Sequence, residues 1–214
     1  ASDRVFVTIR GRSSHGSEPD RGVDAIATAG QVLSAFQTIV SRNVSPLDAA
    51  VLSIGTIRGG CRYNVIADEV VMEGTVRTLS PKVQDMMPER ILQVAQGIAG
   101  SFGATAEVRY VKGYPPLLND PAVTATVRGA LLEVGGVRVV DAEHPAMGGE
   151  DFSFFARVVP SAFLWLGCRP ADADPATFAP VHNNCFAPDE ACFPYGVEAL
   201  DRSALAIVND ETGR

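Results

Sequence analysis

The 214-residue sequence lacks any apolar run approaching the ~18 residues that a membrane-crossing helix requires. It also lacks a basic excess. Eighteen Lys and Arg stand against 25 Asp and Glu, and the net charge of -7 argues against nucleic acid and anionic membranes as partners. The four cysteines (Cys61, Cys168, Cys185 and Cys192) are scattered, with no Cys-x-x-Cys pair. Neither a structural zinc site nor a dense disulfide framework is indicated, and a reducing, cytoplasmic setting is expected. There is no Gly-x-Ser-x-Gly, no P-loop and no Gly-x-Gly-x-x-Gly followed by an acid. That removes the serine-hydrolase elbow and the common nucleotide cradles. No internal repeat or low-complexity tract is present. The first residues, ASDRVFVTIR, read as a strand rather than a signal peptide. The expectation that follows is a chain that does not begin where its fold begins.

What is present describes a globular protein. Hydrophobic residues make up 46% and charged residues 20%, at a length that allows one large domain or two ordinary ones. Arg4–Arg10 forms a first strand, followed by a Gly- and Ser-rich loop that carries His15. From Val23 to about Val40, apolar residues recur at three and four, the period of an amphipathic helix. Val51–Ile57 and Val70–Thr78 are strand-like and read as antiparallel neighbours. Ser80-Pro81 opens a second helix with a serine cap and proline at its first position, running to about Ser101 with Pro88 inside it. Thr105–Val111 is a last strand. The order β-α-β-β-α-β is the split arrangement of a ferredoxin-like sandwich, placed at residues 1–114.

Beyond Gly113-Tyr114-Pro115-Pro116, Asn119-Asp120-Pro121 caps a helix from Ala122 to about Glu133. Short strands are expected at Val137–Val140 and Ala162–Gly167, the second as a continuous apolar run buried on both faces. A final helix from about Tyr195 to Asn209 carries apolar Val197, Leu200, Leu205 and Val208. Two strands are too few for a stable α/β layer, so residues 115–214 read as the tail of a larger domain. The fold class expected is α+β.

Polar chemistry beside apolar sequence marks the candidate site residues. Asn64 precedes Val65-Ile66, and Arg77 sits near the far end of the second hairpin strand. An amide and a guanidinium on one hairpin could grip a carboxylate, with a turn Asn and a surface Arg as the plain alternative. Of three histidines, His15 and His144 lie in loops. His182 precedes an acidic helix start (Asp189-Glu190), the kind of edge where α/β proteins place their sites. One histidine cannot hold a metal, since zinc wants three or four protein ligands. Glu150-Asp151 stands at a glycine turn and helix start, suited either to the macrodipole or to acid/base and ligand-supporting work.

Taken in order, five segments resemble one family: Gly11-Arg12-Ser13-Ser14-His15-Gly16-Ser17-Glu18-Pro19; Gln37–Pro46; Tyr63-Asn64-Val65-Ile66-Ala67-Asp68 with Gly74-Thr75-Val76-Arg77-Thr78; Gly149-Glu150-Asp151-Phe152-Ser153; and His182 before Asp189-Glu190. It is the di-zinc amidohydrolase family of aminoacylases, hippurate hydrolases and auxin-conjugate hydrolases, kin to carboxypeptidase G, and the similarity spans essentially the whole chain. The resemblance implies a ferredoxin-like lid and dimerisation domain (1–114) followed by the C-terminal part of an α/β zinc-peptidase catalytic domain (115–214). It implies hydrolysis of the amide bond of N-acyl amino acids or similar small conjugates. It also implies two divalent metal ions (Zn, or Mn/Co) whose N-terminal ligand motifs have no counterpart here, so the chain is expected to be a fragment unable to hold them alone. By the same resemblance His15 is catalytic and substrate-binding, reaching a partner subunit's site as a homodimer. Asn64 and Arg77 grip the substrate carboxylate, Gly149 lines the pocket, Glu150 is the supporting acid of the catalytic group, and His182 is a metal ligand. Ala67 stands where the family usually has proline. A non-catalytic dimerisation module and a dipeptidase or carboxypeptidase of the same clan are the alternatives.

Overall fold

The computed structural model describes residues 1–210. Among them are six strands: β1 (Ser2–Arg10), β2 (Ser14–His15), β3 (Ala50–Gly59), β4 (Val65–Ile66), β5 (Glu69–Thr78) and β6 (Thr105–Tyr114). Five α-helices accompany them: α1 (Ala25–Asn43), α2 (Pro81–Ser101), α3 (Pro121–Leu132), α4 (Ser153–Ala156) and α5 (Phe193–Asn209). The chain divides into two compact units. One is Ala1–Leu117 with His144–Phe154, and the other is Leu118–Glu143 with the chain from Phe155 onward.

In the first unit the sheet order is β3-β5-β1-β6, with every pair antiparallel. One face of this sheet is covered by α1 and α2, and the sequence dictates how. Asp24 caps α1, its Oδ1 accepting from the N–H groups of Ile26 (2.8 Å) and Ala27 (3.0 Å), which satisfies two otherwise orphaned donors. Ala25, Ala29, Val32, Phe36 and Ile39, spaced four and three apart, are all buried. The buried stripe of α2 is Val83, Met87, Ile91, Ala95 and Ala99, each four residues from the last. Both stripes join Val5, Val7 and Ile9 of β1 and Val70, Met72 and Val76 of β5 in one cluster. Burying a side chain such as Phe36 contributes about 1.5–3 kcal/mol. Ser80 is the N-cap of α2, but its hydroxyl makes no cap bond; Pro81 follows at the first position.

The opposite face of the sheet carries charge. Arg4 pairs with Glu73 (2.5 Å) and Arg10 with Glu69 across β1 and β5. The Arg109 guanidinium lies 3.7 Å from the Phe6 ring centre. β3 contains a bulge between Ile54 and Thr56, at Gly55.

One carboxylate is buried at the sheet end. Asp3 accepts from Gln84 Nε2 (2.9 Å), Tyr110 O–H (2.7 Å) and the Gly113 N–H (2.9 Å). With these donors the desolvation of a buried acid is offset. In turn Tyr110 holds its proton more tightly than an ordinary phenol. Burial is the main cause, followed by the hydrogen bond to Asp3 and its charge.

The second unit is built on α3 and α5. Asp120 caps α3 through Ala122 and Val123 (2.9 and 3.0 Å) with Pro121 behind it. Val127, Leu131 and Val134 form a small core that Ala162 and Ala199 join. Three expectations are corrected here. Neither 137–140 nor 162–167 forms a strand. A strand exists only as part of a hydrogen-bonded ladder, and these segments have no neighbouring strand among the described residues. Ala162–Gly167 is not buried on both faces: Trp165 is 72% exposed. Its start is held instead by Asn119, whose side-chain amide both donates to the Phe163 C=O and accepts from its N–H, each at 2.9 Å. On α5 the residue turned inward is Ser203, while Val197, Leu200, Leu205 and Val208 are exposed.

Candidate substrate-binding site

The ladder between β1 and β5 reaches its last pair at Arg10 and Glu69, but the two chains do not part there. The Gly11 N–H donates to the Asp68 C=O (2.8 Å), β2 pairs with β4 as Ser14 with Ile66 and His15 with Val65, and the Gly16 N–H donates to the Asn64 C=O (2.8 Å). His15 and Asn64 are thus carried side by side on one narrow ribbon, both exposed. Gly16 is required for this approach. A Cβ there would stand 2.9 Å from the Asn64 carbonyl oxygen, a backbone atom that cannot swing aside. The imidazole is also fixed from its own loop. His15 Nδ1 lies 2.7 Å from Ser17 Oγ and accepts the Ser17 N–H at 3.2 Å. Sequence reasoning placed Asn64 with Arg77 and missed its pairing with His15, because two-residue strands are too short to show any period.

Arg77 stands at the other end of the same sheet, opposite Ser2 of β1 and Val51 of β3. Its Nε donates to Thr75 Oγ1 (3.1 Å), which itself donates to the Asp3 C=O (3.1 Å). Among the described residues no carboxylate pairs with this half-buried guanidinium. Gly149 packs at the same end, where a Cβ would stand 2.6 Å from Ser2 Cβ and 3.0 Å from Tyr114 Cδ2. The next residue, Glu150, stands three residues before α4. Its Oε1 accepts the Phe152 N–H (3.3 Å) and its C=O accepts the Ser153 hydroxyl (2.5 Å). Phe154 then meets the Tyr114 ring edge-on at 6.0 Å. Arg77 lies eight residues beyond Glu69 on β5, about 26 Å at about 3.3 Å per residue. Asn64 is at the Glu69 end, so the structure separates the two residues that the sequence paired.

His182 belongs to the second unit, exposed in a loop of turns. The Asn183 N–H donates to the Pro180 C=O (3.1 Å), and Asn183 Oδ1 accepts the Cys185 N–H (2.8 Å). Its φ of 69° puts it in the left-handed region, uncommon for a residue with a side chain and often associated with functional sites. His144 is exposed in the first unit. Among the described residues no three His, Cys, Asp or Glu side chains come together as a metal-holding group. One imidazole is not a metal centre, so these residues do not by themselves accommodate two metal ions. No helix among them is long and apolar enough to cross a membrane.

The sequence model of Peptidase family M20/M25/M40 matches residues 11–206. The N-acetyl-L-cysteine deacetylase of Bacillus subtilis is 42% identical over 167 residues, covering 78% of this chain and 40% of the relative. The N-acetyldiaminopimelate deacetylase of Streptococcus sanguinis is 33% identical over 207 residues, 96% of this chain and 53% of the relative. The chain therefore spans about half the length of the curated relatives it matches. Among solved structures, a putative aminohydrolase of methicillin-resistant Staphylococcus aureus superposes with a TM-score of 0.85 at 30% identity, over 96% of this chain and 52% of the other. A dinuclear metal-binding M20 peptidase of Bacillus subtilis does so at 0.76 and 30%, over 97% and 50%. With nearly its whole length inside the family match, and with these folds beside it, the chain belongs to Peptidase family M20/M25/M40.

Proposed function

We propose that the protein is a metal-dependent amidohydrolase that cleaves the amide bond of N-acyl amino acids or similar small conjugates. In this reading residues 1–114 are a ferredoxin-like lid that forms a homodimer, and residues 115–214 are the C-terminal part of the catalytic domain. The observation that carries it is the ribbon holding His15 beside Asn64 at one end of a sheet whose other end presents Arg77 without a carboxylate partner. The deacetylases among the relatives support the substrate class.

In the reaction, water adds to the amide carbonyl carbon, the C–N bond breaks, and the amine leaves with a proton, giving a carboxylate and an amino acid. Metal ions, when bound, supply Lewis-acid chemistry, and His182 would be one of their imidazole ligands. The chain's own residues bind and orient. The His15 ring donates to the carbonyl oxygen as it gains negative charge. Arg77 and Asn64 hold the substrate carboxylate, the guanidinium through charge-assisted hydrogen bonds. Gly149 lines the pocket in this reading, packed on Ser2 and Tyr114 too closely for any side chain, and Glu150 supports the turn that carries it. An N-acyl amino acid spans roughly 7 Å, two residue lengths, far less than the separation of Asn64 from Arg77 in one chain. A single substrate meets both only when they come from different copies, with the His15 and Asn64 ribbon of one protomer entering the site of its partner.

Arg77→Gln in the complete active protein tests the reading. KM for an N-acetyl amino acid is expected to rise about 10–100-fold, the worth of a charge-assisted hydrogen bond, with little change for the corresponding amino acid amide. An equal rise for both substrates would remove Arg77 from the carboxylate grip.

A further inference from the structure

Ser17 has no role in the reading above, yet it makes both contacts to the inner nitrogen of the His15 ring. The backbone N–H of Ser17 points at His15 Nδ1 from 3.2 Å, and a backbone N–H can only donate. Nδ1 must therefore carry its lone pair toward the chain, and in the neutral ring the proton sits on Nε2. The Ser17 hydroxyl, 2.7 Å from the same nitrogen, then acts as a second donor. The loop cannot easily turn away from this arrangement. The Glu18 N–H closes back on the His15 C=O (2.8 Å), and the Gly16 N–H is tied to Asn64. Both side-chain hydrogen bonds of His15 run through Nδ1, and the residue is exposed, so Nε2 has no partner among the described residues.

We propose that Ser17 is a positioning residue that locks the His15 imidazole as the Nε2–H tautomer, so that the ring offers a donor rather than a lone pair to the substrate carbonyl oxygen. The proposal rests on the reading of His15 as a carbonyl-binding group. A ring in the other tautomer would turn a lone pair toward that oxygen and repel it. The hydroxyl is the adjustable part of the lock, since the backbone N–H is present whatever residue stands at position 17.

Long-range 1H–15N spectra of the 214-residue chain, recorded above the imidazole titration range, read the tautomer of each histidine directly. His15→Gln assigns the His15 signals, and the exposed His144 and His182 serve as internal references. In the unmodified chain His15 is expected to show a protonated Nε2 and a bare Nδ1. Ser17→Ala should shift the ratio of the two neutral tautomers by about fivefold toward Nδ1–H, the worth of one hydrogen bond, and Ser17→Thr should restore it. An Nδ1–H ring in the unmodified chain, or the same ratio in Ser17→Ala, overturns the proposal. Turnover by the complete active protein separates the two levels. A tautomer shift with a matching fall in kcat and little change in KM supports both. A tautomer shift with unchanged kcat overturns the carbonyl-binding reading of His15 while leaving the lock in place.

Discussion

Tyr110 shows at the level of one residue how the sheet end beneath Arg77 is held. Its hydroxyl donates to buried Asp3, which also takes Gln84 and the Gly113 N–H, so strands β1 and β6 and helix α2 meet at a single carboxylate. The phenol's proton is held more tightly in the folded than in the unfolded chain, first through burial and then through Asp3. The sign is that of a raised acid. The stabilisation is complete below the ordinary phenol pKa of about 10 and is lost as pH rises above it, because only the unfolded chain gives up the proton readily. Urea midpoints at pH 9 and pH 11 should therefore fall more in the unmodified protein than in Tyr110→Phe. Equal falls in the two proteins would remove this network from the alkaline limit. None of it was legible in the sequence, where Asp3 and Tyr110 are 107 residues apart and neither sits in a motif. His15 and Arg77 were legible as candidates, one in a glycine-rich loop and one on a strand, but Ser17 was read only as part of the loop and family segment around His15, with no role of its own.

Elements with a sustained period were the most readable. Helix α1, marked by apolar residues recurring at three and four, and helix α2, marked by Ser80-Pro81 at its start, follow from side-chain geometry alone. So do the hairpin strands β3 and β5, whose antiparallel pairing matches their alternation. What failed was Val137–Val140 and Ala162–Gly167. Apolar composition gives a segment strand character but supplies no partner for its N–H and C=O groups, and pairing is a property of neighbours. The reverse error was the β2 and β4 ribbon, which exists through its pairing and has no pattern of its own. Pro88 tests the helix account. It lies inside α2, where it cannot donate to the Gln84 C=O, yet the helix runs on past it. Pro88→Ala should restore that bond and raise stability by about 1–3 kcal/mol, read as a higher urea midpoint. An unchanged or lower midpoint would mean that the ring's packing outweighs the missing bond.

At the scale of the whole molecule, geometry and proposed chemistry meet in one constraint. His15 and Asn64 ride beyond the Glu69 end of the four-stranded sheet and Arg77 stands toward the other end of β5, about 26 Å from Glu69 at about 3.3 Å per residue, while an N-acyl amino acid is several times shorter. A symmetric pair of chains resolves this, because a two-fold axis can bring the ribbon of one copy to the Arg77 end of the other, twice over. The sequence carried the family signature of both ends but not their separation, since distance between residues 64 and 77 depends on the strand between them remaining extended. Complementation between two impaired variants of the complete protein, assayed at substrate far below KM, measures this most directly. His15→Ala and Arg77→Ala proteins are each prepared, then unfolded, mixed in equal amounts and refolded together. Half of the dimers formed are mixed, and each mixed dimer holds one site with both residues intact, so about a quarter of unmodified activity should return. A mixture that stays as impaired as its components would show that both residues serve one site from the same chain, contradicting the shared site.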